Sequence, residues 1–317
     1  MAAGAHGGTA KIFIDGEAGT TGLQIRERLA KEPGIEVASI DPAKRKDAQA
    51  RKDMMRACDL VVLCLPDDAA KEAVALSAEL GQHAPKIVDA STAHRVAPGW
   101  IYGFAELDAD QADRIAKAKL VANPGCYPTG AIALLRPLAD AGLLPADFPV
   151  CVNAVSGYSG GGKSMIESYE VSKTAPAFEL YGLGLEHKHI PELMAYARLN
   201  RRPIFIPSVG NFKQGMLVSI PLHLDLLPGN VTIKLLEEVL SAHYANASQV
   251  RLVRDAASKI GRLDPLALND TDALELYVFG KSALNQAVLV ARLDNLGKGA
   301  AGAAVQNLKL MLNLTGP

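Results

Sequence analysis

No stretch of this chain is apolar for long. The longest hydrophobic runs, such as Leu60-Val61-Val62-Leu63-Cys64-Leu65, end after six residues, whereas a membrane-crossing helix needs roughly 20. Charge of one sign is also missing: 33 Lys and Arg face 34 Asp and Glu, a formal net charge of −1. That leaves no basic face for nucleic acid, so neither a nucleic-acid nor a membrane partner is expected. Cysteine is scarce. Cys58, Cys64, Cys126 and Cys151 form no C-x-x-C pair and no zinc spacing, so no disulfide framework and no metal are expected. The first eight residues carry neither a basic region nor an apolar core, so they read as a flexible tail and not a secretory signal. A reduced, cytoplasmic setting is the expectation. There is no internal repeat and no low-complexity segment.

What remains is ample for two cores. A chain of 317 residues, 49% hydrophobic and 21% charged, fits a soluble two-domain enzyme. Lys11-Ile12-Phe13-Ile14-Asp15-Gly16 reads as a strand, followed by a glycine turn (Gly16, Gly19, Gly22) and a helix through Leu29. Strand, glycine turn and helix in that order begin a dinucleotide-binding unit, in which backbone amides approach a pyrophosphate. The spacing is G-x-x-G-x-x-G, not the common G-x-G-x-x-G. A second strand, Ile35–Ile40, ends at Asp41, where an acid can bond an adenosine ribose and favour NAD. Lys44, Arg45 and Lys46 follow at once, and basic side chains there can hold a 2′-phosphate instead. The residues alone leave NAD against NADP open. A helix from about Asp47, a strand at Leu60–Leu65, a helix opened by Pro66-Asp67-Asp68 with an Asp as its cap, and a strand at Lys86–Asp89 complete the alternation. Such alternation implies a parallel sheet covered on both faces, whose ligands lie at the carboxyl ends of strands. Ser91, Thr92, His94 and Arg95 follow one such end.

Two later stretches carry chemistry. Strand-like Lys119-Leu120-Val121-Ala122 runs into Asn123-Pro124-Gly125-Cys126-Tyr127-Pro128-Thr129-Gly130 and then an apolar helix. Cys126 therefore falls at or just before a helix N-terminus, where amides and the dipole favour a thiolate. A cysteine in a turn is more often a small buried hydrophobe, but the Pro and Gly residues on both sides here fix the backbone around one side chain. His187-Lys188-His189-Ile190-Pro191-Glu192 is the second stretch. Its histidines alternate, so in an extended strand they share a face, with a helix starting at Pro191. A distant imidazole is the usual base for a thiol nucleophile. Between the two, Ser156-Gly157-Tyr158-Ser159-Gly160-Gly161-Gly162-Lys163-Ser164 matches the P-loop frame. It is set aside as a nucleotide site because the first glycine turn already serves a nucleotide. A run of amides ending in a lysine can still hold a phosphate or carboxylate. Strands at 203–207, 216–224, 250–254, 274–280 and 286–293, with few helices between them, suggest an α+β second domain. The last segment, 299–312, has helical spacing.

These stretches together resemble the phosphorylating aldehyde dehydrogenases of the glyceraldehyde-3-phosphate and aspartate-semialdehyde type. Within that group the chain is similar to the N-acetyl-γ-glutamyl-phosphate reductase family of arginine biosynthesis, in its shorter form. Gly16–Gly22, Asp89–Arg95, Tyr102–Leu107, Asn123–Gly130, Ser156–Lys163, His187–Glu192 and Asp294–Gly302 match in order. The resemblance implies a Rossmann-type NADP-binding domain at 1–128 and 295–317, an α+β catalytic and oligomerisation domain at 129–294, and a C-terminal helix returning to the first domain. It implies a homodimer or homotetramer acting on a small acyl phosphate, with NADP(H) as cofactor. Cys126 would be the nucleophile, with His189 or His187 as acid and base. Gly16, Gly19, Thr20, Thr21, Gly22, Asp41, Lys44, Arg45, Ser91 and Asn295 would serve the cofactor. Arg95, Ser156, Gly157, Lys163, Lys188 and Glu192 would serve the substrate and its phosphate. An aspartate-semialdehyde dehydrogenase and a carrier-linked aminoadipyl or glutamyl phosphate reductase share this chemistry. A nucleotide-binding redox sensor built on Cys126 is the rival from another class.

Overall fold

The computed structural model describes residues 9–314; the reading of the first eight residues as a tail lies outside them. The described chain divides into two compact units. The first comprises the chain up to Gly103, Ala112–Asn123 and the chain from Ala304 onward; the second comprises Phe104–Gln111 and Pro124–Ala303.

Alternation builds the first unit. In chain order come β1 (Ala10–Asp15), α1 (Thr20–Leu29), β2 (Ile35–Ala38), α2 (Ala48–Arg56), β3 (Leu60–Leu63), α3 (Asp67–Ala78), β4 (Lys86–Asp89), β5 (Ile101–Tyr102), α4 (Gln111–Lys117) and β6 (Leu120–Ala122). The strands pair in parallel in the order β2-β1-β3-β4-β6-β5. Every residue of β3 is buried, as both faces of such a sheet are covered and its strands become continuous apolar runs. The chain leaves β1 toward β2 on one side and returns to β3 on the other. The carboxyl ends of β1 and β3 thus form the switch point at which such sheets take ligands.

Asp47 caps α2, accepting from the Ala50 N–H at 2.7 Å. The expected Asp cap of α3 is absent: Pro66 occupies that position without a side-chain bond. Asp67 instead accepts from the Thr92 N–H at 2.9 Å and from the Thr92 hydroxyl. The carboxylate is thereby spent on holding the loop after β4.

The second unit is a mixed sheet with helices. Its elements are α5 (Cys126–Asp140), β7 (Cys151–Gly157), α6 (Gly162–Ile166), β8 (Phe178–Leu180), α7 (Ile190–Tyr196), β9 (Ile204–Gly210), β10 (Met216–His223), α8 (Ile233–His243), β11 (Val250–Leu252), α9 (Ala256–Lys259), β12 (Leu274–Lys281) and β13 (Gln286–Leu293). The strand order is β11-β12-β13-β10-β7-β9-β8, with parallel pairs only at β11-β12 and β7-β9. Helix α5 is buried from Tyr127 to Leu138. It contains Pro137, which has no N–H to give the Ala133 carbonyl. The Tyr244 hydroxyl supplies that bond instead, at 2.9 Å, so a proline inside a buried helix leaves no carbonyl unpaired there.

A final helix, α10 (Gly302–Met311), returns to the first unit as expected. Its Asn307, fully buried, donates to Gly103 O at 2.8 Å and to Asn123 Oδ1 at 3.0 Å. Lys86 donates to the Met311 carbonyl, and Lys309 pairs with Glu32 at 2.8 Å. Among the described residues, no helix is long and apolar enough to cross a membrane.

Candidate active site

In the first unit the glycine turn sits at the switch point. Gly16 has φ +91°, and a β-carbon on it would lie 2.3 Å from the Cys64 carbonyl oxygen at the end of β3. Only glycine fits where two strand ends come this close. A β-carbon on Gly22 would lie 2.6 Å from Gly16 O. Gly19 is the N-cap of α1, with no side-chain cap and no acidic residue in the first turn; Thr20 and Thr21 are the first two helical residues. A helix end bare of side chains and acids suits a pyrophosphate. Gly16→Ala is expected to lower the thermal midpoint by about 3 °C or more, since a left-handed L-residue alone costs roughly 1–2 kcal/mol. Gly19→Ala, at an ordinary φ, should cost less in the same scanning fluorimetry.

Just before this turn, buried Asp15 accepts from Arg51 Nε at 3.1 Å and Nη2 at 2.7 Å. Burial nevertheless raises the Asp15 pKa against the pull of Arg51. No spacing in the sequence signals this pair. After β2, Asp41 Oδ1 accepts from its own Ala43 N–H at 2.9 Å, and Lys44 and Arg45 are exposed beside it.

The loop after β4 is anchored at each step. Asp89, completely buried, accepts from the Ser91 N–H at 2.9 Å and hydroxyl at 2.8 Å, and pairs with His94 Nδ1 at 2.6 Å. His94 stacks on Trp100 at 4.2 Å. Arg95 is buried, its Nε donating to Asn123 O at 3.0 Å. Its guanidinium thus steadies the chain just ahead of Pro124.

In the second unit Cys126 is the first residue of α5, half-buried, with Gly125 as a cap that has no side chain. The Gly125 N–H donates to Glu192 Oε2 at 3.0 Å. Pro128 has no N–H, and the Thr129 N–H closes onto Gly125 O at 2.9 Å. The Gly125 and Thr129 N–H groups are therefore both engaged at this helix end. Tyr127 fastens the turn: its hydroxyl donates to Ser208 O at 3.0 Å and receives the Tyr181 hydroxyl at 3.2 Å. Burial pushes the Tyr127 phenol far up and the Tyr181 phenol to about 12, so both stay protonated. Tyr181 was not singled out from the sequence, and nothing in its spacing marks it.

His187 and His189 do not lie on a strand as expected. They occupy a turn, and His189 is the N-cap of α7 with helical dihedrals (φ −83°, ψ −8°). The turn still brings their rings to 4.7 Å, beside the Tyr127 ring at 6.2 Å and 6.0 Å. The His189 N–H donates to His187 Nδ1 at 3.1 Å, so in this geometry His187 is neutral and carries its proton on Nε2. Glu192, buried in the first turn of α7, is the link back to Gly125. An acceptor so placed grips a donor and not an anion.

The glycine–lysine loop is not an open row of amides. The N–H groups of Gly157, Tyr158 and Ser159 donate to Gly215 O, Phe212 O and Lys213 O at 2.9, 2.9 and 3.0 Å. This removes the first half of the anion cradle expected there. The Ser156 hydroxyl bonds Gly157 O at 3.0 Å, while Lys163 stays exposed, as does Lys188. Asn295, expected at the cofactor, accepts from the Gly215 N–H at 2.8 Å and donates to the Ser159 hydroxyl at 3.0 Å.

Comparison with known proteins follows this division. The family model "Semialdehyde dehydrogenase, NAD binding domain" matches residues 11–115, and "Semialdehyde dehydrogenase, dimerisation domain" matches 126–295. Aspartate semialdehyde dehydrogenase II from Vibrio cholerae is similar in fold, with a TM-score of 0.71 at 14% identity over 96% of this chain and 99% of that one. The aspartate semialdehyde dehydrogenase with NADP from Candida albicans gives 0.64 at 15% identity, over 97% and 100%. Fold and matches define the class, a semialdehyde dehydrogenase. Relatives in Brucella ovis and Brucella melitensis biotype 2, both "N-acetyl-gamma-glutamyl-phosphate reductase", are each 56% identical over 308 residues, covering 95% of this chain and 98% of theirs. The chain belongs to the N-acetyl-γ-glutamyl-phosphate reductase family.

Proposed function

We propose that this chain reduces N-acetyl-γ-glutamyl phosphate to N-acetylglutamate 5-semialdehyde with NADPH, through a thioester on Cys126, as a step of arginine biosynthesis. The observation that carries the mechanism is the Gly125 N–H bond to Glu192. It ties the turn bearing both histidines to the helix end bearing the thiol.

Sulfur at the first position of a 15-residue helix gains from the dipole and from nearby amides, which favour the thiolate. The thiolate attacks the acyl carbon, the carbon–oxygen bond to phosphate breaks, and phosphate departs with the electron pair. What NADPH supplies when bound is a hydride to the thioester carbonyl, which accepts one far more readily than a carboxylate does. His189 gives a proton to the oxygen as it turns into an alkoxide. It takes the proton back as the thiohemiacetal collapses and Cys126 leaves as thiolate. His187, locked neutral by the His189 N–H, orients its neighbour. The Tyr127 amide at this helix end would donate to the oxyanion. Glu192 positions the two turns.

The residues present fit the cofactor. The glycine turn Gly16–Gly22, with Thr20 and Thr21, would take the pyrophosphate, and Ser91 and Asn295 are further candidates for the cofactor. Lys44 and Arg45 would take the 2′-phosphate, with Asp41 already bonded to its own turn. Lys163 and Lys188, both exposed, are the cations for the substrate's phosphate and carboxylate. A homo-oligomer fits the exposed Phe178 and Leu180 beside a groove of 590 Å³ on the second sheet. A cytoplasmic setting fits a biosynthetic reductase whose four cysteines are all free thiols.

The test is an intact-mass measurement after quenching the protein with N-acetyl-γ-glutamyl phosphate in the absence of cofactor. One acyl adduct is expected, on Cys126. Cys58 and Cys64 should stay clear at neutral pH, because burial pushes their thiols up to about 11 and about 12 and leaves almost no thiolate there. No adduct, with no acyl-phosphate-dependent oxidation of NADPH, would remove the proposal in favour of a redox sensor. Turnover of aspartate semialdehyde in the reverse assay with phosphate and NADP would reassign the substrate.

A further inference from the structure

Two of the sequence stretches, Tyr102–Leu107 and Asp294–Gly302, carry no group that reacts in the steps above. Within the second unit the Lys298 side chain reaches from the second stretch to Glu106 and Phe104 of the first. Lys298 is only 1% exposed. Its ammonium has three N–H donors, and it donates to Glu106 Oε1 and Oε2, both at 2.8 Å, and to Gln249 Oε1 at 2.9 Å. Its nitrogen also lies 5.6 Å from the centre of the Phe104 ring. Burial lowers the Lys298 pKa, and Glu106 opposes that shift. A lysine so matched to acceptors has a fixed place.

Lys298 belongs to a wide helical turn, Gly297–Ala301, of the π type that recurs near functional sites. Asp294, just ahead of the turn, sets its start. Asp294 Oδ1 accepts from the Leu296 N–H at 2.9 Å, and the Gly299 N–H donates to Asp294 O at 3.0 Å. The next residue after the lysine then meets the nucleophile. A β-carbon on Gly299 would lie 3.0 Å from Cys126 Cβ and 3.4 Å from its Cα, so the bare Gly299 backbone packs directly on the reactive residue.

We propose that Lys298 is a positioning residue for Cys126: its bonds to Glu106 and Gln249 hold the 297–301 turn so that Gly299 buttresses the cysteine and fixes where its sulfur begins. This deepens the acyl-phosphate reductase reading and rests on it. Lys298 touches no reacting atom and acts through Gly299. Because small misplacements of a reacting group are costly, the loss falls on the rate of chemistry more than on binding.

Two variants test this. Lys298→Met/Glu106→Gln removes both buried charges together and leaves neither unpaired. Gly299→Ala presses on Cys126 with the ion pair intact. For each we expect kcat to fall on the order of 10²-fold, with KM within about threefold of the parent. Alkylation of Cys126 by iodoacetamide, followed by mass across pH, should change in rate or midpoint in both. Circular dichroism and the thermal midpoint report folding, and an unfolded variant is set aside in favour of the other. The proposal falls if either folded variant keeps kcat and the alkylation profile within twofold of the wild type. Should the wild type itself fail to turn over the acyl phosphate, the functional reading fails. The iodoacetamide profile, which needs no substrate, still decides whether Lys298 sets Cys126.

Discussion

Replacing Cys126 with serine is expected to cut acyl-phosphate-dependent NADPH oxidation by about 10⁴-fold or more while leaving the fold intact. A hydroxyl in the same place keeps the shape, because Cys126 is only half-buried at the first turn of α5 and serine differs from it by one atom. What it loses is the anion. The stabilisation at a helix N-terminus is worth roughly 0.3–2 kcal/mol for a charge, enough to help a thiol ionise near neutral pH and far too little for an alcohol. An oxygen ester, if one formed, would also accept hydride less readily than a thioester. Steady-state assay of Cys126→Ser beside a thermal melt checks both halves. Turnover within tenfold of the wild type would mean that no covalent intermediate lies on the path.

The second large effect separates the histidines. His189→Asn should lower kcat by about 10²–10⁴-fold, the range for removing a general acid–base, and flatten the pH profile of kcat. His187→Asn should cost only about fivefold, the loss of one hydrogen bond. The asymmetry follows from the 3.1 Å bond in which the His189 N–H occupies His187 Nδ1: a ring whose Nδ1 must accept cannot also cycle a proton. If His187→Asn does the greater damage, the two roles are exchanged.

The parallel sheet was readable because strands buried on both faces are written as unbroken apolar runs, Leu60–Leu63 being the clearest. The two-residue strand Ile101–Tyr102 and the edge strand Phe178–Leu180 are too short for any period to form, and both went unseen. Cys126 was legible because Pro124, Gly125 and Pro128 constrain the chain around it. The histidines were legible as a pair, but their alternation suggested a strand; His189 instead caps a helix, and a cap needs only one residue out of pattern. Asp67 was misassigned for a related reason, since a carboxylate at a helix start can turn outward to a loop 25 residues on. The partners Asp15–Arg51, Gly125–Glu192 and Glu106–Lys298 lie 36, 67 and 192 positions apart. Only the topology brings them together, so local spacing cannot report them.

Helix α10 has a consequence for synthesis. The first unit takes its residues from both ends of the chain, and Asn307, Lys309 and the Met311 carbonyl are among its internal fastenings. A ribosome delivers those fastenings only after the whole of the second unit has emerged. The nascent amino-terminal sheet therefore waits, incompletely sealed, until α10 has been made. A stop codon ahead of Asn307 would strand it in that state, with the nucleophile's own helix already made.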